Sequence, residues 1–161
     1  MSQYLTSGPL ETKKLGKLFA QRMIETRSKK ALFVGLLGDL GGGKTTFIQG
    51  VSKGLGIKEK ILSPTFVIMK RFKVSKEIAG KSPFRNFYHI DCYRIKRPKE
   101  LLDIGLKKVL SNPENIVFVE WAEKMGKSTF GKPILIEFIF KDKKIRRIKI
   151  NSKKFKDLIS K

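Results

Sequence analysis

Cysteine, acidic side chains and long apolar runs are all scarce in this 161-residue chain. A single cysteine, Cys92, forms no internal disulfide and has no second thiol for a structural zinc site, which favours a reducing compartment. The longest apolar runs, ALFVGLL and NIVFVEW, are far shorter than the roughly 18 residues of a membrane-spanning helix. The N-terminal stretch also lacks the apolar core of a signal peptide. We therefore expect a cytosolic protein.

The shortage of acidic residues leaves a large excess of positive charge. The chain has 36 Lys and Arg residues against 14 Asp and Glu residues, a formal net charge of +22. Such an excess attracts nucleic acids and acidic proteins at long range. The basic residues are spread along the whole chain, however, which is also typical of a solvated, lysine-rich surface. Charge alone leaves both interpretations open.

Glycine, by contrast, is concentrated in the stretch GDLGGGKTTF at positions 38–47. The apolar run ALFVGLL precedes it and is typical of a buried strand in a sheet covered by helices. The following residues predict a helix from Lys44 to about Lys53, ended by Gly54. Four residues fit the spacing G-x-x-x-x-G-K-[ST] of the phosphate-binding P-loop: Gly38, Gly43, Lys44 and Thr45. Strand, glycine loop and helix together predict a nucleotide site.

Each residue type in this loop has a chemical reason to be there. Glycines let backbone N–H groups approach phosphate oxygens, while the helix N-terminus adds partial positive charge. We expect Gly41, Gly42 and Gly43 to form this cradle, Lys44 to reach the terminal phosphates and Thr45 to offer its hydroxyl to Mg²⁺. The chain has no N-K-x-D motif, and no D-x-x-G follows the loop, so elimination favours ATP over GTP.

A P-loop nucleotidase also needs a carboxylate near the magnesium ion, at the end of a buried strand. Asp91 follows the run FYHI and Glu120 follows NIVFV. We assign the magnesium role to Glu120, because its strand is the more continuously apolar, and place the Asp91 strand at a sheet edge. Asp91 stays a candidate second ligand or water-positioning group. For either carboxylate the alternative is an ordinary ion pair, for example with Arg94 or Lys124.

The remaining patterns predict an α/β fold in a single domain over residues 1–161. We expect an amphipathic helix at about 11–25, one hairpin from SPTFVIMKRFKV and FRNFYHIDCYRI, and short helices broken near Gly105. PILIEFIF and KIRRIKI predict a second hairpin, and SKKFKDLISK a short closing helix. The whole is a P-loop NTPase fold with a mostly parallel central sheet, helices on both faces and antiparallel hairpin strands.

Four stretches resemble the TsaE family, formerly called YjeE, in order and spacing: GDLGGGKTTF, SPTF, HIDCYR and VEW. The resemblance covers about residues 11–150. It implies a small bacterial ATPase, dependent on Mg²⁺ and ATP, that works with the proteins TsaD and TsaB in forming threonylcarbamoyladenosine in tRNA. The chain has Gly42 where the family usually has alanine, and Ala122 where it usually has proline. Neither difference removes a ligand.

The same resemblance implies roles for individual residues. It places the nucleotide site at residues 41–46, which adds Thr46, and a switch-like segment at residues 63–66. In that segment Thr65 would present its hydroxyl to the terminal phosphate, whereas the residues alone indicate a turn entering a strand. Three further residues would be functional: Asp91, Glu120 and Trp121. Trp121 would stack on the nucleotide or on a partner, whereas a tryptophan by itself favours a core or rim position.

His89 is the only histidine. It alternates with Asp91 and Tyr93, so we expect the three side chains to share one strand face. We expect His89 to orient Asp91 or simply to pack, with a role as general base as the alternative. Cys92 is expected to be an inert buried thiol.

Two other functions stay open. A small-molecule or nucleoside kinase would share the P-loop but need an arginine-bearing lid, for which Arg94 and Arg97 are the candidates. A basic RNA-binding module would bind RNA in a salt-sensitive way that survives loss of Lys44.

Overall fold

One mixed sheet of seven strands organises the computed structural model, which describes residues 1–63, 66–126, 129–142, 144–155 and 158. The strands are β1 (Ser2–Thr6), β2 (Leu32–Leu37), β3 (Met69–Lys73), β4 (Asn86–Asp91), β5 (Asn115–Glu120), β6 (Ile134–Phe140) and β7 (Arg146–Asn151). Their order across the sheet is β1-β7-β6-β2-β5-β4-β3. The four central strands are parallel, and the remaining pairings are antiparallel.

Helices cover both faces of this sheet. They are α1 (Pro9–Met23), α2 (Lys44–Gly54), α3 (Lys76–Ala79), α4 (Lys99–Asp103) and α5 (Leu106–Ser111), with 3₁₀ turns at Ala122–Met125 and Lys153–Phe155. Helices α1 and α2 contribute to the larger hydrophobic core, and α4 and α5 to the smaller core on the opposite face. The described residues include no helix that is long and apolar enough to cross a membrane.

Close packing of α1 on α2 sets the position of the glycine loop. A Cβ atom on Gly16 would lie 2.3 Å from the carbonyl oxygen of Phe47, and one on Gly50 would lie 2.1 Å from that of Lys13. Only glycine permits so close an approach of two backbones. Beneath the helices, Phe19 stacks on Phe155 with ring centroids 4.2 Å apart. The start of α2 is therefore supported by tightly packed secondary structure.

Most of the predicted architecture is confirmed. The central strands are parallel, helices lie on both faces, and β3–β4 and β6–β7 form the two predicted hairpins. The pair of short helices is interrupted at Gly105, as expected. Helix α2 runs one residue further than predicted, through Gly54, and the left-handed glycine that follows it is Gly56.

The structure differs from the sequence-based expectations at one unpredicted strand, at the position of the Asp91 strand and at the C-terminus. Strand β1 was not predicted, because only Tyr4 and Thr6 are buried in a short, polar segment. The Asp91 strand is not at an edge, because its hairpin partner β3 lies outside it. Its polar residues are accommodated by partners inside the sheet, as when Asn86 donates to Asn115 at 2.9 Å. The described part of the closing helix is a single 3₁₀ turn.

Candidate functional site

The glycine loop joins the end of β2 to the start of α2. Gly41 and Gly43 have φ angles of 74° and 101°, a left-handed backbone that favours glycine. In the described structure no side chain caps the first turn of α2, and a helix leaves its first N–H groups without partners of its own. The loop therefore combines available N–H groups with a helix N-terminus, an arrangement suited to phosphate.

A cleft of about 360 Å³ lies above this loop, between it and the ends of β4 and β5. Its lining includes the predicted nucleotide and carboxylate residues: Gly41, Gly42, Gly43, Lys44, Thr45, Thr46, Asp91, Glu120 and Trp121. Leu40, Ser63 and Tyr93 complete it. The remaining predicted site residue, Thr65, lies outside the described residues. The structure thus brings together all predicted site residues that it describes.

Lys44 is held inside the cleft by the loop itself. Its Nζ atom donates to the carbonyl oxygens of Gly38 at 2.6 Å and Asp39 at 2.8 Å. The same atom lies 4.2 Å from the centroid of the Trp121 ring, in a cation–π contact. Burial lowers the pKa of the Lys44 ammonium below its usual value, and nearby carboxylates, chiefly that of Glu120, oppose this shift. The cleft thus contains an ammonium group that is hydrogen-bonded to two neutral carbonyl oxygens of the loop.

Glu120, at the end of β5, is almost fully buried and links two other elements. The hydroxyl of Thr45, on the first turn of α2, donates to both carboxylate oxygens, at 2.8 Å to Oε1 and 3.1 Å to Oε2. Nε2 of His89, on β4, lies 2.8 Å from the same Oε1. Thr45 and Glu120, the two residues predicted to bind the magnesium ion, are therefore hydrogen-bonded to each other.

Asp91, at the end of β4, has different partners. Ser63 donates its hydroxyl to Oδ2, and the backbone N–H of Tyr93 donates to Oδ1 at 2.8 Å. The expectation that His89 orients Asp91 is wrong, because the neighbour that His89 reaches is diagonal to it on the next strand. Tyr93 lies beyond the end of β4 and does not continue its alternation.

The side chains considered as ion-pair partners of these carboxylates have other contacts. The guanidinium of Arg94 lies 4.6 Å from the centroid of the Phe66 ring. Lys124 donates to the carbonyl oxygen of Tyr93. Both therefore help to hold the loop segments that flank the cleft.

Trp121 is half-buried at the rim of the cleft, where it also packs against the smaller core. Its φ angle of 57° is uncommon for a residue with a side chain, and such strain is concentrated at functional sites. The ring packs 5.3 Å from that of Tyr93 and faces Lys44. The backbone thus turns immediately after Glu120 and directs an aromatic ring over the loop.

Sequence reasoning missed three exposed apolar side chains. They are Leu40 in the glycine loop, 78% exposed, and Phe66 and Val67 at and after the end of the switch-like segment, 86% and 69% exposed. Large apolar residues in a glycine loop and beside a proline were the available signal. Large exposed apolar side chains are candidates for contact with a partner.

The fold and the loop define the class of protein, a P-loop NTPase fold with its glycine loop between a central parallel strand and a helix. Comparison with known proteins then identifies the family. The family model described as "Threonylcarbamoyl adenosine biosynthesis protein TsaE" matches residues 6–154. The chain belongs to the TsaE family.

Individual relatives agree with this assignment. The chain is 37% identical to the Haemophilus influenzae tRNA threonylcarbamoyladenosine biosynthesis protein TsaE over 111 residues, which are 69% of this chain and 65% of that protein. It is 35% identical to the Rickettsia felis TsaE over 148 residues, 88% of this chain and 76% of that one. The crystal structure of Bacillus subtilis YdiB superposes with a TM-score of 0.68 at 27% identity, covering 92% of this chain and 82% of YdiB.

Proposed function

We propose that this protein binds Mg-ATP in the cleft, hydrolyses it slowly alone, and is stimulated by TsaD and TsaB during formation of threonylcarbamoyladenosine in tRNA in the cytoplasm. The observation that carries the proposal is the contact between Thr45 and Glu120 beside the uncapped N-terminus of α2. Family membership supports the pathway. Transfer RNA would be reached indirectly, through the partners.

The loop would hold the phosphates through its backbone and through Lys44. Gly41 and Gly43 have the left-handed conformation that shapes the loop, the N–H of Gly42 donates to the carbonyl oxygen of Asp39 at 3.1 Å, and Thr46 lines the cleft from α2. The first N–H groups of α2, which have no partner within the helix, would bind the phosphates. Lys44 would exchange its two carbonyl partners for phosphate oxygens, which bind an ammonium more strongly because they are charged. Trp121 then remains as an aromatic wall over the bound phosphates.

Thr45 and Glu120 fit a magnesium ion by the chemistry of their donor atoms. Both offer oxygen, the element that Mg²⁺ prefers, and the ion typically binds few protein ligands and completes its shell with phosphate and water. Within the described residues, no three His, Cys, Asp or Glu side chains are grouped to hold a metal. When bound, the ion would neutralise charge on the transferred phosphate.

Slow hydrolysis by the isolated protein follows from what the cleft contains. Lys44 is the only cation among the described residues that line it, so no arginine is present there to stabilise the transition state. Asp91 is held by Ser63, which begins the switch-like segment, and is thus placed to respond to that segment. A partner that covers the exposed Phe66, the last residue of the switch-like segment, would act on the same segment that holds Asp91 through Ser63.

The test is steady-state phosphate release from Mg-ATP by the protein alone, with TsaD, with TsaB and with both. We expect poor activity alone and stimulation by at least an order of magnitude with both partners. Trp121→Ala and Thr65→Ala should weaken stimulation more than ATP binding. Two salt concentrations expose non-specific attraction to this +22 chain.

Three outcomes would contradict the proposal. Full activity without partners would contradict the dependence of hydrolysis on TsaD and TsaB. Equal stimulation by any acidic protein would show that the effect is non-specific electrostatic attraction. Transfer of the γ-phosphate to a small acceptor in place of water would instead support the kinase alternative.

A further inference from the structure

His89 is fully buried and reaches the cleft only through Glu120. We propose that His89 is a positioning residue, whose Nε2–H group fixes the Glu120 carboxylate in the orientation that meets the magnesium ion. The inference rests on the proposed function, since it assigns a role to a side chain behind that site. It replaces both the general base and the passive packing that the sequence left open.

The hydrogen bonds show how the carboxylate is clamped. Oε1 of Glu120 lies 2.8 Å from Nε2 of His89 on β4 and accepts from Thr45 on α2 at 2.8 Å. Among the described residues, Oε2 has only the longer Thr45 contact of 3.1 Å. Two donors on different elements therefore define where Oε1 lies. Oε2 is the oxygen with spare acceptor capacity, and Glu120 lines the cleft.

The support behind this contact is rigid. His89 is paired with Lys70 of β3 on one side and with Phe118 of β5 on the other, so its backbone is held in the sheet. The carbonyl oxygen of Glu120 accepts from the N–H of Cys92 at 3.0 Å, which ties the two strand ends together. A donor on such a well-held backbone can keep the carboxylate of Glu120 in the precise orientation that a metal ligand requires.

Packing alone does not explain an imidazole at this position. Among the described residues Nδ1 of His89 is buried with no hydrogen-bond partner, and such a group costs stability. An apolar side chain would avoid that cost. Because a carboxylate only accepts, Nε2 must donate, and this donation is what an apolar residue cannot supply. Either charge state of the ring can carry this Nε2 hydrogen.

The experiment compares His89→Leu, which removes the donor, with His89→Gln, which retains an N–H group at a similar distance from the backbone. Phe87→Leu is the matched control, since Phe87 is fully buried two residues earlier on β4. Calorimetry gives the affinity for ATP in Mg²⁺ and in EDTA, and their ratio is the gain due to magnesium. Partner-stimulated phosphate release gives kcat and KM.

We expect His89→Leu to reduce the magnesium gain by about 10-fold or more, with ATP affinity in EDTA unchanged and a larger loss in kcat than in KM. His89→Gln should restore most of the gain, and Phe87→Leu should keep it. Thermal unfolding checks each fold. If His89→Leu does not fold, His89→Gln decides: a retained gain supports the proposal, and a lost gain overturns it.

The contrary results are distinct. An unchanged magnesium gain in folded His89→Leu, equal losses in the Leu and Gln variants, or an equal loss in Phe87→Leu would overturn the positioning role alone. A wild-type protein that binds ATP equally with and without Mg²⁺ would overturn the magnesium assignment as well. A wild-type protein that binds no ATP would overturn the proposed function and this inference together.

Discussion

The ends of β4 and β5 carry two carboxylates that face each other in register, yet they are held in different ways. Glu120 is bound to residues of regular structure, Thr45 on α2 and His89 on β4. Asp91, its partner across the two strands, is bound to residues of loops, Ser63 and Tyr93. Both are nearly inaccessible, with 3% and 4% of their surface exposed.

This difference separates two tasks at one site. A ligand on a rigid support keeps its geometry, which favours Glu120 for the magnesium ion. A carboxylate that bonds to loops can gain or lose its partners when those loops move, which favours Asp91 for coupling the switch-like segment to the nucleotide. Strand position alone does not distinguish the two residues, since both lie at the ends of interior parallel strands.

The largest effect is expected from Glu120→Gln. Turnover should fall on the order of 100-fold, because the lost charge matters most when charge develops on the transferred phosphate. ATP affinity in EDTA should be largely retained, since the loop binds the phosphates, and the gain in affinity due to magnesium should fall at least as much as in His89→Leu. Steady-state phosphate release and calorimetry measure the two quantities. Glu123→Gln, a nearby exposed carboxylate, is the control and should behave as wild type.

Asp91→Asn should act mainly on coupling. We expect about a 10-fold loss of stimulation by the partner proteins, with basal turnover little changed, because the amide weakens the bonds to Ser63 and Tyr93 and leaves Glu120 in place. Phosphate release with and without partners measures it. A larger loss of basal turnover in Asp91→Asn than in Glu120→Gln would contradict the assignment of the magnesium ion to Glu120.

Ser63→Ala should have a smaller effect in the same direction, a few-fold loss of stimulation, since it removes one of the bonds to Asp91. The two side chains are in contact, so their substitutions should be non-additive, with a coupling of about 0.5–3 kcal/mol. A double-mutant cycle on stimulated turnover measures this coupling. Strictly additive losses would show that Ser63 acts independently of Asp91.

Cys92, which directly follows Asp91, reports how firmly the end of β4 is closed. Burial raises the pKa of the Cys92 thiol to about 12, so little thiolate is present at neutral pH. Alkylation of the native protein should be slower than that of a free cysteine by an order of magnitude or more. In Asp91→Asn it should rise a few-fold, as the end of β4 opens more often. Alkylation at the free-cysteine rate would show that this end is not closed.

The part of the site that could be predicted from sequence depends on local chain order. The glycine loop, Lys44 and Thr45 are contiguous, and their geometry follows from one strand, one turn and one helix. Glu120 could also be predicted from the sequence, because a continuous apolar run precedes it. These features need no knowledge of which strands are neighbours.

What could not be predicted depends on pairing between distant segments. The contact of His89 with Glu120 joins residues 31 positions apart and follows from the register of β4 on β5. β4 is an interior strand because β3 pairs with its outer side. The short β1 is a strand because it pairs with β7, which its own sequence does not indicate. The polar residues on β4 suggested an edge strand, because their hydrogen-bond partners lie on β5 and cannot be identified from the sequence.

The most direct test of the central claim is the thermal stabilisation of the protein by Mg-ATP, measured for wild type, Lys44→Ala and Lys53→Ala. Lys53 is exposed at the other end of α2 and is the matched control. We expect a rise in unfolding temperature that saturates with Mg-ATP in wild type and Lys53→Ala, because a ligand that binds only the folded state stabilises it. We expect no rise in a folded Lys44→Ala. An undiminished rise in Lys44→Ala would contradict the assignment of the glycine loop as the ATP site.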